Sequence, residues 1–122
     1  MDAENPIRHK SFLFAAAACR ASMKVKNDKK EFVISRQLIR SATSVGANIE
    51  EAIAGQSRKD FYHKLSISYK ESRESLYWIR LMEELELLSI KESSKLKEMV
   101  NELNRIIASI LATMRKKYDY TR

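Results

Sequence analysis

Apolar residues return along this chain at alternating steps of three and four, the spacing that lays them on one face of an α-helix. Ile7, Phe14, Ala18, Ala21 and Val25 trace the first stripe. Pro6 suits a first helical turn with Asn5 before it as the cap, and the stripe fades in "KVKNDKK", whose lysines fit a helix C-terminus. A second stripe runs from about Glu31 through Phe32, Ser35, Leu38, Ala42, Val45, Ile49, Ala52 and Ile53. Gly55 is placed to stop it, in the left-handed conformation that glycine accepts cheaply. Ser57-Arg58-Lys59-Asp60 then has the form of a capping box, with Asp60 in the place of the usual Glu. It opens a third stripe of Phe61, Leu65, Tyr69, Leu76, Ile79, Met82 and Leu85, reaching to about Leu88. The fourth carries Leu96, Val100, Leu103, Ile107, Ile110 and Met114, and starts at Ser89 or Lys91.

Helices of about 20, 24, 30 and 26 residues are rods of roughly 30–45 Å. Their linkers are short, which forces neighbours antiparallel, so the pattern predicts an all-α, up-down-up-down four-helix bundle. At 122 residues it forms one domain, residues 1–122, with a core over about 7–117. Composition narrows the picture further. Two Gly and one Pro are too few for the turns of an all-β sandwich. The lone Cys19 excludes an intrachain disulfide and suits a reducing cytoplasm, where it reads as a small core residue. No apolar run approaches the roughly 20 residues of a membrane span. "MDAENPIRHK" lacks a signal core, so a cytoplasmic protein without membrane attachment is expected.

Catalytic constellations are missing from the sequence. Carboxylate-bridged di-metal bundles need two Glu-x-x-His pairs, whereas this chain has one Asp60…His63 and a His9 with no acid three residues before it. Two His and one Cys in separate segments do not make a zinc set. Gly46 and Gly55 lack the Gly-Lys-Ser/Thr ending of a phosphate loop. Ser66, Ser68, Ser72 and Ser75 have no spacing that presents a base, and read as small residues on a helix seam. A non-enzymatic protein without metal or cofactor is expected.

The formal charge of +7 favours a polyanionic partner. In the predicted topology the start of helix one, the turn between helices two and three, and the end of helix four share one end. Arg8, His9 and Lys10, then Arg58, Lys59 and Lys64, then Arg115, Lys116 and Lys117 gather there, only partly offset by Asp2, Glu4, Asp60 and Asp119. The opposite end mixes Lys24, Lys26, Lys29 and Lys30 with Asp28, Glu31, Glu83, Glu84 and Glu86, and should be close to neutral. Tyr62, Tyr118 and Tyr120 stand near the basic end as stacking groups. Such an end suits sequence-tolerant binding of RNA or DNA. The alternative is a scaffold or protein-interaction module whose charge serves solubility, its C-terminal lysines complementing a helix dipole.

On helix two a polar stripe, Arg40, Ser44, Asn48 and Glu51, flanks the apolar one at steps of four, four and three. Beside it Ala42 and Gly46 remove bulk and would let another backbone approach. Polar groups at such a seam need partners, a carboxylate for Arg40 and backbone groups for Asn48. The segment "QLIRSATSVGANIEEA", Gln37 to Ala52, resembles the signature of the four-helix-bundle proteins encoded in intervening sequences of bacterial 23S rRNA genes. The likeness continues through "SRKDFYHKLSISYKESRESL" and covers about Ile7 to Lys117. By position, the characteristic polar residues of that family fall on Arg40, Ser44, Asn48 and Glu51. Gly46, Glu50 and Ala52 depart from its usual Pro, Ala and Gly, and "SFLFAAAAC" lacks its first-helix tryptophan. The resemblance implies a bacterial cytoplasmic homopentamer of unsettled role. The chain is also similar to the accessory protein of diversity-generating retroelements, which implies a basic, nucleic-acid-binding pentamer. Five copies would carry about +35.

Overall fold

The computed structural model describes residues 5–118. Four helices, α1 (Pro6–Lys29), α2 (Val33–Ile53), α3 (Arg58–Glu84) and α4 (Ile90–Lys117), account for nearly all of them, with no strand among the described residues. Each helix packs on its sequence neighbours and α1 closes the ring against α4, while the diagonal pairs stay apart. Cross-helix contacts give the directions. Arg8 near the start of α1 meets Glu50 near the end of α2, Lys64 early in α3 meets Glu51, Arg115 late in α4 meets Tyr62, and Lys24 late in α1 pairs with Glu92 at the start of α4. Every neighbour is antiparallel, as short linkers require.

The core is the sequence stripe made solid. Phe14, Leu38, Val45, Ile49, Leu65, Ile79, Met82, Val100, Leu103 and Ile107 are fully buried. Several predicted stripe members differ: Ala21, Ile53, Phe61, Tyr69 and Leu76 are only half-buried. Phe32 and Leu85 are exposed because both lie at helix ends, at the cap positions of α2 and α3. At the end of α4 it is Leu111 that is buried, while Ile110 and Met114 are half-buried.

Helix ends follow local chemistry. Asn5 Oδ1 accepts from the Ile7 and Arg8 amides ahead of Pro6. Ser89 and Glu92 exchange side-chain-to-backbone bonds as a full capping box, which fixes the start of α4 at Ile90. At α3 the Ser57 hydroxyl accepts from the Asp60 amide. The third helix stops at Glu84 rather than Leu88: Glu86 turns left-handed (φ 60°), and the Leu87 amide reaches back to Met82 O at 2.8 Å. That is a Schellman turn with glutamate where glycine is usual. Gly55 does not take the left-handed conformation expected of it, since neither glycine has positive φ. Its value is room instead. A Cβ there would stand 3.1 Å from Ala52 O and 3.3 Å from Asp60 Cβ.

Candidate nucleic-acid interface and polar seam

Eight serines are buried, and three of them, Ser68, Ser72 and Ser75, sit on α3. A hydroxyl in a helix can bond the carbonyl three or four residues back, so a serine can fill a seam at nearly alanine's size without an orphaned donor. Ser22 on α1 departs from this, its buried Oγ having no partner among the described residues. Ser75 Oγ bonds Glu71 O at 2.9 Å and Ser41 Oγ of α2 at 2.9 Å, and Ser68 reaches across to Val45 O at 2.8 Å. Ser72 bonds Tyr69 O and Asn104 of α4. These are the small seam residues that the sequence suggests. Half-buried Ser66 bonds Tyr62 O on its own helix. On the α1 side, a Cβ on Gly46 would lie an ordinary 3.6 Å from Ser11 O, so α1 passes beside α2 here without requiring the glycine.

The polar stripe of α2 lies on the rim beside α3. Arg40 is exposed and held by two α3 carboxylates, Glu71 at 3.2 Å and Glu74. Glu74 also accepts from Trp78 Nε1 at 2.8 Å, which makes the glutamate a junction between the two helices. Asn48 Nδ2 bonds Ser44 O at 2.9 Å and Ser44 Oγ at 3.0 Å, a local clasp on its own helix. Glu51 pairs with Lys64 at 2.7 Å and stays exposed. All four residues therefore have partners within the chain. The expected carboxylate for Arg40 and backbone group for Asn48 are both present.

The basic end is less uniform than its cation count. Arg8 pairs with Glu50 at 2.7 Å, Lys10 with Glu102 at 3.2 Å and Lys64 with Glu51. Glu50, Glu51 and Glu102 are acids of this end that the sequence reading passes over. A three-residue turn between antiparallel helices fixes the register, so Glu50 opposite Arg8 is readable from residue numbers alone. The other five cations have no carboxylate within salt-bridge distance among the described residues. The Arg58 guanidinium lies 4.0 Å over the Tyr118 ring, and Arg115 Nη1 donates to Tyr62 Oη at 3.1 Å. Lys59, Lys116 and Lys117 project into solvent beside them. The first turn of α3 and the last turn of α4 thus hold one cluster, with Tyr62 and Tyr118 bracing arginines. Tyr120, Asp2, Glu4 and Asp119 lie outside the described residues.

Among the described residues no group of three or more His, Cys, Asp and Glu side chains is placed to hold a metal, and no helix is long and apolar enough to cross a membrane. Asp60 and His63 share an open depression with Glu51 and Lys64. Cys19 is half-buried on α1 rather than in the core; burial pushes its thiol pKa up, against the lowering field of Arg20.

A sequence profile of the 23S rRNA-intervening sequence proteins matches residues 3–109. The chain belongs to the 23S rRNA-intervening sequence protein family. A solved relative, described as a protein of unknown function from the S23 ribosomal protein family of Bacteroides thetaiotaomicron VPI-5482, is 38% identical. It superposes with a TM-score of 0.84 over 86% of this chain and 97% of its own. No curated protein matches. In this 23S rRNA-intervening sequence protein Arg40 and Glu51 tie α2 to α3, through Glu71 and Glu74 (itself bonded to Trp78) and through Lys64, while Ser44 and Asn48 bond each other on α2. The α3 partners are legible only once the antiparallel register is known.

Proposed function

We propose that this protein is a non-enzymatic, self-associating bundle that binds RNA or DNA through its cationic end. The observation that carries the reading is the cluster of Arg58, Lys59, Arg115, Lys116 and Lys117, none with a carboxylate in salt-bridge range among the described residues. Phosphates docking there release counterions, a sequence-independent and salt-sensitive source of affinity. Arg8, Lys10 and Lys64 contribute less, since a phosphate must compete with Glu50, Glu102 and Glu51.

Self-association is supported by α1, which is apolar on its outward face as well as its inward one. Phe12 is 69% and Met23 52% exposed, with Leu13 beside them. A second copy of the same chain is the partner proposed for that face.

Fluorescence polarisation with labelled RNA and DNA, at about 50 and about 200 mM salt, tests the binding. Charge reversal at Arg58, Lys59, Lys116 and Lys117 should abolish it. Absence of binding at the lower salt, or equal binding by the reversed protein, would refute the reading. In the former case the scaffold alternative, assembly through α1 without nucleic acid, takes its place; in the latter the binding surface lies elsewhere than the cationic end.

A further inference from the structure

The cationic surface does not stop at the end of the bundle. Glu71 turns toward α2 to hold Arg40, so Arg73, two residues and about 200° further round α3, faces outward on the α4 side. Tyr62, Tyr69, Arg73 and Arg80 follow one another on that side at helical steps. Across the seam, Asn104 meets Ser72, which places the next residue, Arg105, on the same outer surface as Arg73. Arg73, Arg80 and Arg105 are exposed, and none has a carboxylate within 4 Å among the described residues. Arg73 lies 5.9 Å from the Tyr69 ring centroid and donates to its hydroxyl at 3.3 Å. Arg115 makes the equivalent bond to Tyr62 and joins this strip to the cationic end. Glu83 and Glu84 share an open depression with Arg80, where the strip finishes.

We infer that the outer α3–α4 face is a track for a single nucleic-acid strand, entered from the cationic end. This rests on the nucleic-acid reading above and adds a path and a site size to it. From Tyr62 to Arg80 the track runs about 27 Å at 1.5 Å per residue. That length holds roughly eight phosphates of a stacked strand at about 3.4 Å each. A pair of antiparallel helices offers a narrow ridge with arginines on both flanks and tyrosines between them, which suits a flexible strand. Arginine and tyrosine interleaved along a backbone are the groups of sequence-tolerant single-strand binding. Tyr77, 53% exposed on α3 and in T-shaped contact with Trp78 at 5.0 Å, adds an exposed aromatic group near the far end of the track.

The test compares wild type, an end variant (Lys59→Gln, Lys116→Gln, Lys117→Gln) and a track variant (Arg73→Gln, Arg80→Gln, Arg105→Gln). Binding to oligo-uridylates of about 5 and about 15 nucleotides is measured over a salt series. Circular dichroism verifies that each variant is folded. Wild type should hold the longer strand at least about tenfold more tightly, with a steeper salt slope. The track variant should lose that gain and about two units of slope, yet bind the short strand within about twofold of wild type. The end variant should weaken both lengths. A track variant that keeps the length gain overturns this inference and leaves the end as the binding site. A wild type that binds neither length overturns the nucleic-acid reading itself.

Discussion

Glu31 holds the start of α2 from just outside the helix. Phe32 at the cap position offers no side-chain acceptor, so the Glu31 carboxylate takes the orphan amides: Val33 at 3.0 Å, Ile34 at 2.9 Å and Ser35 at 2.8 Å, with the Ser35 hydroxyl at 3.1 Å. Removing it by Glu31→Ala forfeits a cap and a favourable charge at a helix N-terminus. Val33 is exposed and Glu31 itself only half-buried, so removing the carboxylate opens these groups to water and the loss is about 1 kcal/mol rather than the upper end near 2. For a chain of this size that lowers the melting temperature by about 4 °C. Glu31→Gln keeps an acceptor but not the charge and should lose about half as much. Burial raises the carboxyl pKa, but the Ile34 and Ser35 amides, the Ser35 hydroxyl and the Val33 amide outweigh it and hold the value below the ordinary 4.5. The stabilisation is therefore complete above about pH 4.5 and disappears as pH falls through the lowered folded value. Thermal melts by circular dichroism, at one protein concentration, should show the gap between wild type and Glu31→Ala near neutral pH and its closure in acid. A gap under about 1 °C at neutral pH, or one of equal size in acid, refutes the reasoning.

Gly46→Ala should stabilise the fold: the new Cβ meets Ser11 O at an ordinary 3.6 Å, and alanine gains about 0.5–1 kcal/mol over glycine inside a helix. A lowered melting temperature would mean that α1 cannot accept the methyl. A double-mutant cycle on Arg40→Ala and Glu74→Ala, read from denaturant midpoints, should give a coupling of about 0.5–1 kcal/mol, modest because both side chains are partly exposed. Zero coupling would remove this pair from the α2–α3 joint. Phe12→Glu should reduce the solution mass to that of the monomer in light scattering without loss of helicity, and an unchanged mass would exclude the outer face of α1 from the interface.

Periodicity alone exposes the four helices because each buries one continuous stripe, and a stripe is a property of residue spacing. Helix ends depend on finer chemistry. Ser89 and Glu92 form a readable box, but Glu86 in a left-handed turn has no sequence mark, since glycine is the residue that advertises one. The polar seam is half legible. Arg40, Ser44, Asn48 and Glu51 share an edge by spacing, while Glu71 and Glu74 become their neighbours only through antiparallel register. The basic end is miscounted for the same reason, because Glu50, Glu51 and Glu102 come from helix bodies rather than from the turns where the cations are conspicuous. The arginines of the α3–α4 face hide among ordinary surface charges until the helices are set side by side.

The two surfaces of α1 bear on how strongly the proposed self-association would hold. Phe14 is fully buried while Phe12, two residues and about 200° away, is 69% exposed, so the helix cannot satisfy both within one bundle. Covering the exposed parts of Phe12, Leu13 and Met23 is worth about 3–5 kcal/mol gross per copy. Two copies supply about 6–10 kcal/mol, against an association cost of about 4–15. One such pairing is marginal on its own, so assembly should depend on protein concentration and on anything that holds copies together. A polyanion that bridges two cationic ends does so, because its second contact forms at high effective concentration. Binding and assembly are then reciprocal, each strengthening the other by the same factor. A strand long enough to reach two bundles should raise the assembled fraction, and Phe12→Glu should weaken that strand's binding while leaving a short one unaffected. Equal effects on both lengths would show that assembly and nucleic-acid binding are independent properties of the chain.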